Sequence, residues 1–195
     1  MLTILSIAWL VFWGYWLISA VTSYAPVQRR ESHVSRLLYG IFVILSMLIL
    51  FWAQSNSAYR FVPDTTAVKV VGIFITFLGL GFAVWARVHL GKYWSGNVTI
   101  KVEHKLIRTG PYRWVRNPIY TGIIIAVIGS TIADGELLAL LAIVLIVIGF
   151  LVKIRMEEKF LLEEFGEIFY ICYPFVGGLK FVIVIKNCTG RFTVD

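Results

Sequence analysis

At 195 residues the chain is one domain's worth of protein, and with 59% hydrophobic and 15% charged residues it is too apolar for a soluble globular domain, which averages about 45–50% apolar and 25% charged. The net charge of +7 raises nucleic acid as a partner, but position excludes it, because the basic residues flank apolar runs instead of forming a soluble face of their own. Two cysteines, Cys172 and Cys188, exclude a disulfide scaffold.

Five apolar runs follow in chain order, at 2–21, 37–53, 67–86, 119–133 and 137–152. The first and third are about 20 residues, the length that crosses ~30 Å of hydrocarbon. The first has no basic segment ahead of it, so a retained helix is expected there in place of a cleaved leader. The second run is at the lower limit of the spanning range. The fourth and fifth are shorter still, separated only by Asp134-Gly135-Glu136, and read as an antiparallel helical hairpin turning on the glycine, with a thinned bilayer, a place inside the bundle and a re-entrant hairpin all compatible with their length. Gly72, Gly79 and Gly81 in the third run are expected to allow close helix packing. Seven Trp, nine Tyr and fourteen Phe suit aromatic belts at two interfaces.

Charge asymmetry tests the count. With five helices, 16 of the 18 Lys and Arg fall on one side, leaving Arg60 and Lys69 on the other. The positive-inside rule then sets the amino terminus outside, and the carboxyl terminus and both polar clusters in the cytosol. The fold class expected is an all-α, polytopic membrane protein of about five transmembrane helices, with helices four and five a hairpin. Residues 1–88 hold three helices, 89–166 a core around the hairpin, and 167–195 an atypical tail.

The first polar cluster is HKLIRTGPYRWVRNPIY, His104 to Tyr120. Gly110-Pro111 is a turn signal, and Asn117 before Pro118 can cap a helix whose first position the proline occupies. The unpaired N–H groups of such a helix start suit a carboxylate or phosphate. The second cluster, Lys153, Arg155, Glu157 and Glu158, follows the last apolar run. On its own it reads as snorkelling anchors with i,i+4 pairs. Joined to the first by a short hairpin, it makes one composite site. A carboxylate beside aromatic faces is also what a sulfonium cofactor needs.

The stretch LGKYWSGNVTIKVEHKLIRTGPYRWVRNPIYTG, a hairpin, and then EEKFLLEEFG resemble the isoprenylcysteine carboxyl methyltransferase family, small membrane enzymes related to phospholipid N-methyltransferases. The resemblance covers 90–166 and rests on the combined pattern of H-x-L, G-x-Y, R-[HN]-P-x-Y and a distant Glu-Glu. It implies an S-adenosylmethionine pocket facing the cytosol. By position it implies cofactor contacts from Asn97, His104, Leu106, Ile107, Tyr112, Asn117, Pro118, Tyr120 and Glu157, and acceptor positioning by Lys153 with Arg155. Asn117 stands where many members have histidine, and Lys153 where arginine is usual. The implied activity is carboxyl O-methylation of a lipophilic, prenylcysteine-like acceptor in the bilayer, with no metal and no nucleic acid. The alternatives are a phospholipid, amine or thiol acceptor, with His104 or Glu158 as base, an NADPH-dependent sterol reductase-like enzyme, or a non-catalytic membrane scaffold.

Overall fold

The computed structural model describes residues 2–22, 27–30, 33–53, 59–91, 99–101 and 109–172. Among these are five helices: α1 (Leu2–Thr22), α2 (His33–Ala53), α3 (Thr66–Leu90), α4 (Pro118–Asp134) and α5 (Ala139–Cys172). The all-α membrane class follows, and α1, α3 and α5 hold windows long and apolar enough to cross a bilayer. The second helix begins four residues before the run that marked it. The fifth does not stop at the end of its apolar run. It continues through the second charged cluster to Cys172, so that cluster is helical and the first six residues of the expected tail belong to α5. Two short strands, unforeseen in the sequence, β1 (Val27–Arg30) and β2 (Thr99–Lys101), pair antiparallel with Arg29 opposite Ile100. They tie the α1–α2 connection to the α3–α4 connection.

Local chemistry sets the helix ends. Thr65 caps α3, its side chain accepting from the Val68 N–H at 3.3 Å. Pro118 opens α4 at the first helical position, where its missing N–H costs nothing. The same helix ends on Gly135, whose φ of 70° is left-handed and whose N–H donates to the Thr131 carbonyl.

Packing in lipid cannot draw on a hydrophobic drive between helices, so close backbone approach and interhelical hydrogen bonds take its place. The main pairings are α3 with α4 and α2 with α5. A Cβ added at Gly72 would sit 2.6 Å from the Gly129 carbonyl oxygen, and one at Gly79 would sit 2.5 Å from that of Gly122. Gly72, Thr76, Gly79 and Ala83 therefore make one stripe on α3, and Gly122, Ala126, Gly129 and Ala133 make its complement on α4. Gly81 does not belong to it; nothing lies within 4 Å of its would-be Cβ. Hydroxyl groups add hydrogen bonds within and between the helices. The Trp9 indole N–H donates to Ser130 Oγ at 3.0 Å, and Thr76 Oγ1 lies 3.2 Å from the same oxygen. Thr76 also donates to the Gly72 carbonyl at 2.9 Å. Ser46 Oγ reaches the Ala142 carbonyl at 2.8 Å between α2 and α5.

The fourth helix is the centre of the bundle. It touches each of the other four helices, and 12 of its 17 residues are buried. The short hairpin helix is thus packed within the bundle.

The hairpin tip is closed as well. Phe61 N–H donates to the Gly135 carbonyl and Leu137 N–H to the Tyr59 carbonyl, both at 2.8 Å. Arg60 reaches Glu136 at 3.9 Å and Asp64 at 3.5 Å, and Lys69 pairs with Asp64. The two basic residues that break the charge asymmetry are therefore both in ion pairs. Lys69, with Arg60 beside it, holds the exposed Asp64 carboxyl below its ordinary value, the Lys69 hydrogen bond being the larger cause. Asp134 and Glu136 are themselves buried.

Candidate active site

The two charged ends meet where α4 begins and α5 leaves the apolar zone. Tyr120, in the first turn of α4, donates its hydroxyl to Glu157 Oε1 on α5 at 2.6 Å. The Tyr120 ring stacks on Phe150, one to two turns before Glu157, with centroids 4.8 Å apart. Lys153 lies four residues before Glu157 on α5, so both project from one face. It is buried, with its Nζ 4.8 Å from the Tyr39 ring centroid on α2 and 5.5 Å from that of Tyr120. The Tyr39 and Tyr120 faces thus attract a cation in this fold. Arg155 points elsewhere and is exposed.

Tyr112 arrives from the other side. It belongs to a 3-10 turn, Gly110–Arg113, packed on α3. Gly110 has φ of 59°, and the His89 ring fills the space its Cβ would need, at 2.8 Å. His89 Nε2 lies 2.8 Å from Thr109 Oγ1, and the His89 ring stacks on Tyr112 at 6.5 Å. Trp114 meets Trp85 edge-on at 5.6 Å. Burial, and then the negative charge of Glu157, push the Tyr112 hydroxyl above its ordinary range, so it stays a protonated donor.

Asn117 occupies the N-cap position of α4 as its place before proline leads one to expect, but its side chain makes no cap hydrogen bond. The Asn117 carbonyl accepts from Thr121 Oγ1 at 3.0 Å instead. Pro118 is buried beneath it. Tyr112, Asn117, Pro118, Tyr120, Lys153 and Glu157 are therefore gathered at one end of the bundle. Asn97, His104, Leu106 and Ile107 lie outside the described residues, as does the Glu158 side chain. Sequence reasoning missed Tyr39, Phe150 and His89. The first two sit in apolar runs without a motif, and His89 stands alone at the end of α3.

Fold and site together define a small polytopic membrane protein with a carboxylate and aromatic rings gathered where α4 begins and α5 leaves the apolar zone. Residues 70–163, just under half of the chain, match the model of the isoprenylcysteine carboxyl methyltransferase (ICMT) family. The chain is 29% identical over 143 residues to a probable protein-S-isoprenylcysteine O-methyltransferase of Oryza sativa subsp. indica, covering 71% of this chain and 75% of the relative. It is 30% identical over 129 residues to the protein-S-isoprenylcysteine O-methyltransferase of Saccharomyces cerevisiae, covering 64% and 54%. Methanethiol S-methyltransferase 1 of Bradyrhizobium diazoefficiens is 27% identical over 155 residues, covering 72% and 52%.

Proposed function

We propose that this protein is a membrane methyltransferase that uses S-adenosylmethionine to methylate a carboxylate on a lipophilic, prenylcysteine-like acceptor at the cytosolic face. The observation that carries the reading is the 2.6 Å hydrogen bond from Tyr120 to Glu157. It brings residues of the two separate sequence clusters together, with a carboxylate beside aromatic faces. That chemistry fits a donor bearing an ammonium, ribose hydroxyls and a sulfonium. Bound there, the cofactor supplies an electrophilic methyl group on positively charged sulfur.

The chain's own residues bind and orient. Glu157 accepts from the donor's ammonium or ribose hydroxyls, with Tyr120 fixing which oxygen is free to do so. Tyr112, kept protonated, donates. Asn117 offers a side chain not spent on capping, and Asn97, His104, Leu106 and Ile107 complete the donor side. Lys153 positions the acceptor from within the site, while Arg155 is exposed on another face of α5. A carboxylate is already ionised at neutral pH, so no general base is required, and alignment in a dry pocket supplies most of the acceleration. The ion pairing of Arg60 and Lys69 at the far end supports the orientation with the amino terminus outside.

The test is equilibrium binding of labelled S-adenosylmethionine to the purified protein, with Glu157→Ala alongside. Saturable binding, competed by S-adenosylhomocysteine and lost in the variant, is expected. No binding by a folded wild type refutes the reading. The Bradyrhizobium relative favours a thiol acceptor as the second reading, and product analysis with a prenylcysteine acid and a small thiol separates the two.

A further inference from the structure

The second helix brings Tyr39 to the site, and its register against α5 decides where that ring stands. Ser46 Oγ donates to the Ala142 carbonyl at 2.8 Å. A Cβ added at Gly149 would lie 2.9 Å from Phe42 Cβ and 3.4 Å from the Tyr39 carbonyl oxygen. Tyr39 and Ser46 are seven residues apart on α2, and Ala142 and Gly149 are seven apart on α5. Two turns of antiparallel helix are therefore held at both ends, and Gly149 lets the backbones close up at the Tyr39 end. Lys153 follows Gly149 by four residues and shares its face of α5. The register thus delivers the Tyr39 ring to Lys153, whose Nζ stands 4.8 Å from the ring centroid.

Both partners are buried, each 8% exposed. An ammonium in such a place is costly unless its charge is met. Ring faces meet it from two helices, Tyr39 on α2 and, at 5.5 Å, Tyr120 on α4. A ring attracts an ammonium through its quadrupole without neutralising it, whereas a carboxylate partner cancels the charge. Lys153 held by rings keeps its charge for an incoming anion. Tyr120 has a second task, since its hydroxyl donates to Glu157. Its ring serves the acceptor side of the site and its hydroxyl the donor side.

We infer that Tyr39 is a positioning residue: its ring, with that of Tyr120, clamps the Lys153 ammonium and fixes where it meets the anionic head of the methyl acceptor. What Lys153 is held for rests on the methyltransferase reading; the clamp does not.

The test replaces Tyr39 in the full chain by phenylalanine, and then by phenylalanine bearing one, two or three ring fluorines. Fluorine keeps the shape of the ring, so these variants should fold, and it drains negative potential from the ring face on which a cation rests. Each is made with Lys153 and with Lys153→Met. In reversible SDS unfolding, the unfolding equilibrium constant should rise stepwise with fluorine number, by about 2- to 30-fold across the series, the worth of a cation–π contact. In the Lys153→Met background it should stay flat. A flat series with Lys153, or the same slope in both backgrounds, overturns the clamp. Methyl transfer to N-acetyl-S-farnesylcysteine reads the positioning role in the same proteins. The KM for this acceptor should rise in step with fluorine number while S-adenosylmethionine affinity stays at the Tyr39→Phe value. A constant KM, or donor affinity falling in parallel, reduces Tyr39 to packing and overturns the proposed role. A Lys153-dependent slope in unfolding, with no methyl transfer by the wild type, supports the clamp and refutes the methyltransferase reading alone.

Discussion

Replacing Gly79 by alanine tests the packing on which the site rests. The new Cβ would meet the Ala126 backbone nitrogen, and the Gly122 carbonyl oxygen at 2.5 Å, where ordinary contact begins near 3.4 Å. Both are backbone atoms inside helices and cannot turn aside, so α3 and α4 must separate by about 1 Å. A gap of that size forfeits a quarter to a half of each dispersion contact along the stripe. Overpacking of this kind costs about 1–3 kcal/mol, against about 0.5–1 kcal/mol gained from the better helix propensity of alanine. Gly81→Ala supplies the reference, because it gains the same propensity and meets nothing within 4 Å. The propensity terms cancel, so the two variants should differ by the steric cost alone, about 1–3 kcal/mol. Reversible unfolding by SDS in mixed micelles, followed by tryptophan fluorescence, measures the difference. Equal stability of the two, or a more stable Gly79→Ala, would refute the close-packed seam.

Three further outcomes are expected. Tyr120→Phe should weaken S-adenosylmethionine binding at least tenfold by freeing the Glu157 carboxylate to turn, and calorimetry should show the loss in affinity with the fold intact. Ser130→Ala strips a partner from the buried Trp9 N–H and from Thr76, and should destabilise the protein by about 1–3 kcal/mol in the same SDS titration. At the far end, Asp64 has a folded-state pKa below its ordinary 3.8. The unfolded chain thus binds more protons between the two values, and the stability it contributes is full above 3.8 and lost as pH falls through the folded value. Lys69→Met should flatten the melting temperature against pH in that acid window and leave the profile above pH 5 parallel to wild type.

Much of the plan was legible because lipid imposes coarse rules. Run length gave the helices, Asp134-Gly135-Glu136 gave the hairpin turn, and Asn117-Pro118 gave the start of α4. What the residues hid was which face goes where. Inward and lipid-facing positions are equally apolar in a membrane helix, so nothing marked α4 as the buried centre or paired α2 with α5. Gly81 and Gly79 look alike in sequence, yet nothing approaches one and the other closes a seam. For the site, Tyr112, Asn117, Tyr120 and Glu157 announced themselves by motif. Tyr39 and Phe150 did not, because a lone residue in an apolar run acquires chemistry only from neighbours brought to it by folding.

The central position of α4 also bears on how the chain comes to be in a membrane at all. At 17 residues it measures about 25 Å, short of the ~30 Å of hydrocarbon it must enter. It carries Thr121, Ser130, Thr131 and Asp134, all buried in the finished bundle and all unwelcome in bare lipid. Alone it is a poor candidate for insertion by the translocation machinery. The order of synthesis resolves this, since α1, Trp9 and the glycine stripe of α3 emerge first and stand ready to receive it. Biogenesis thus builds the walls before the core, and a chain lacking α1 or the α3 stripe should leave the α4–α5 hairpin stranded at the membrane surface, where quality control would find it.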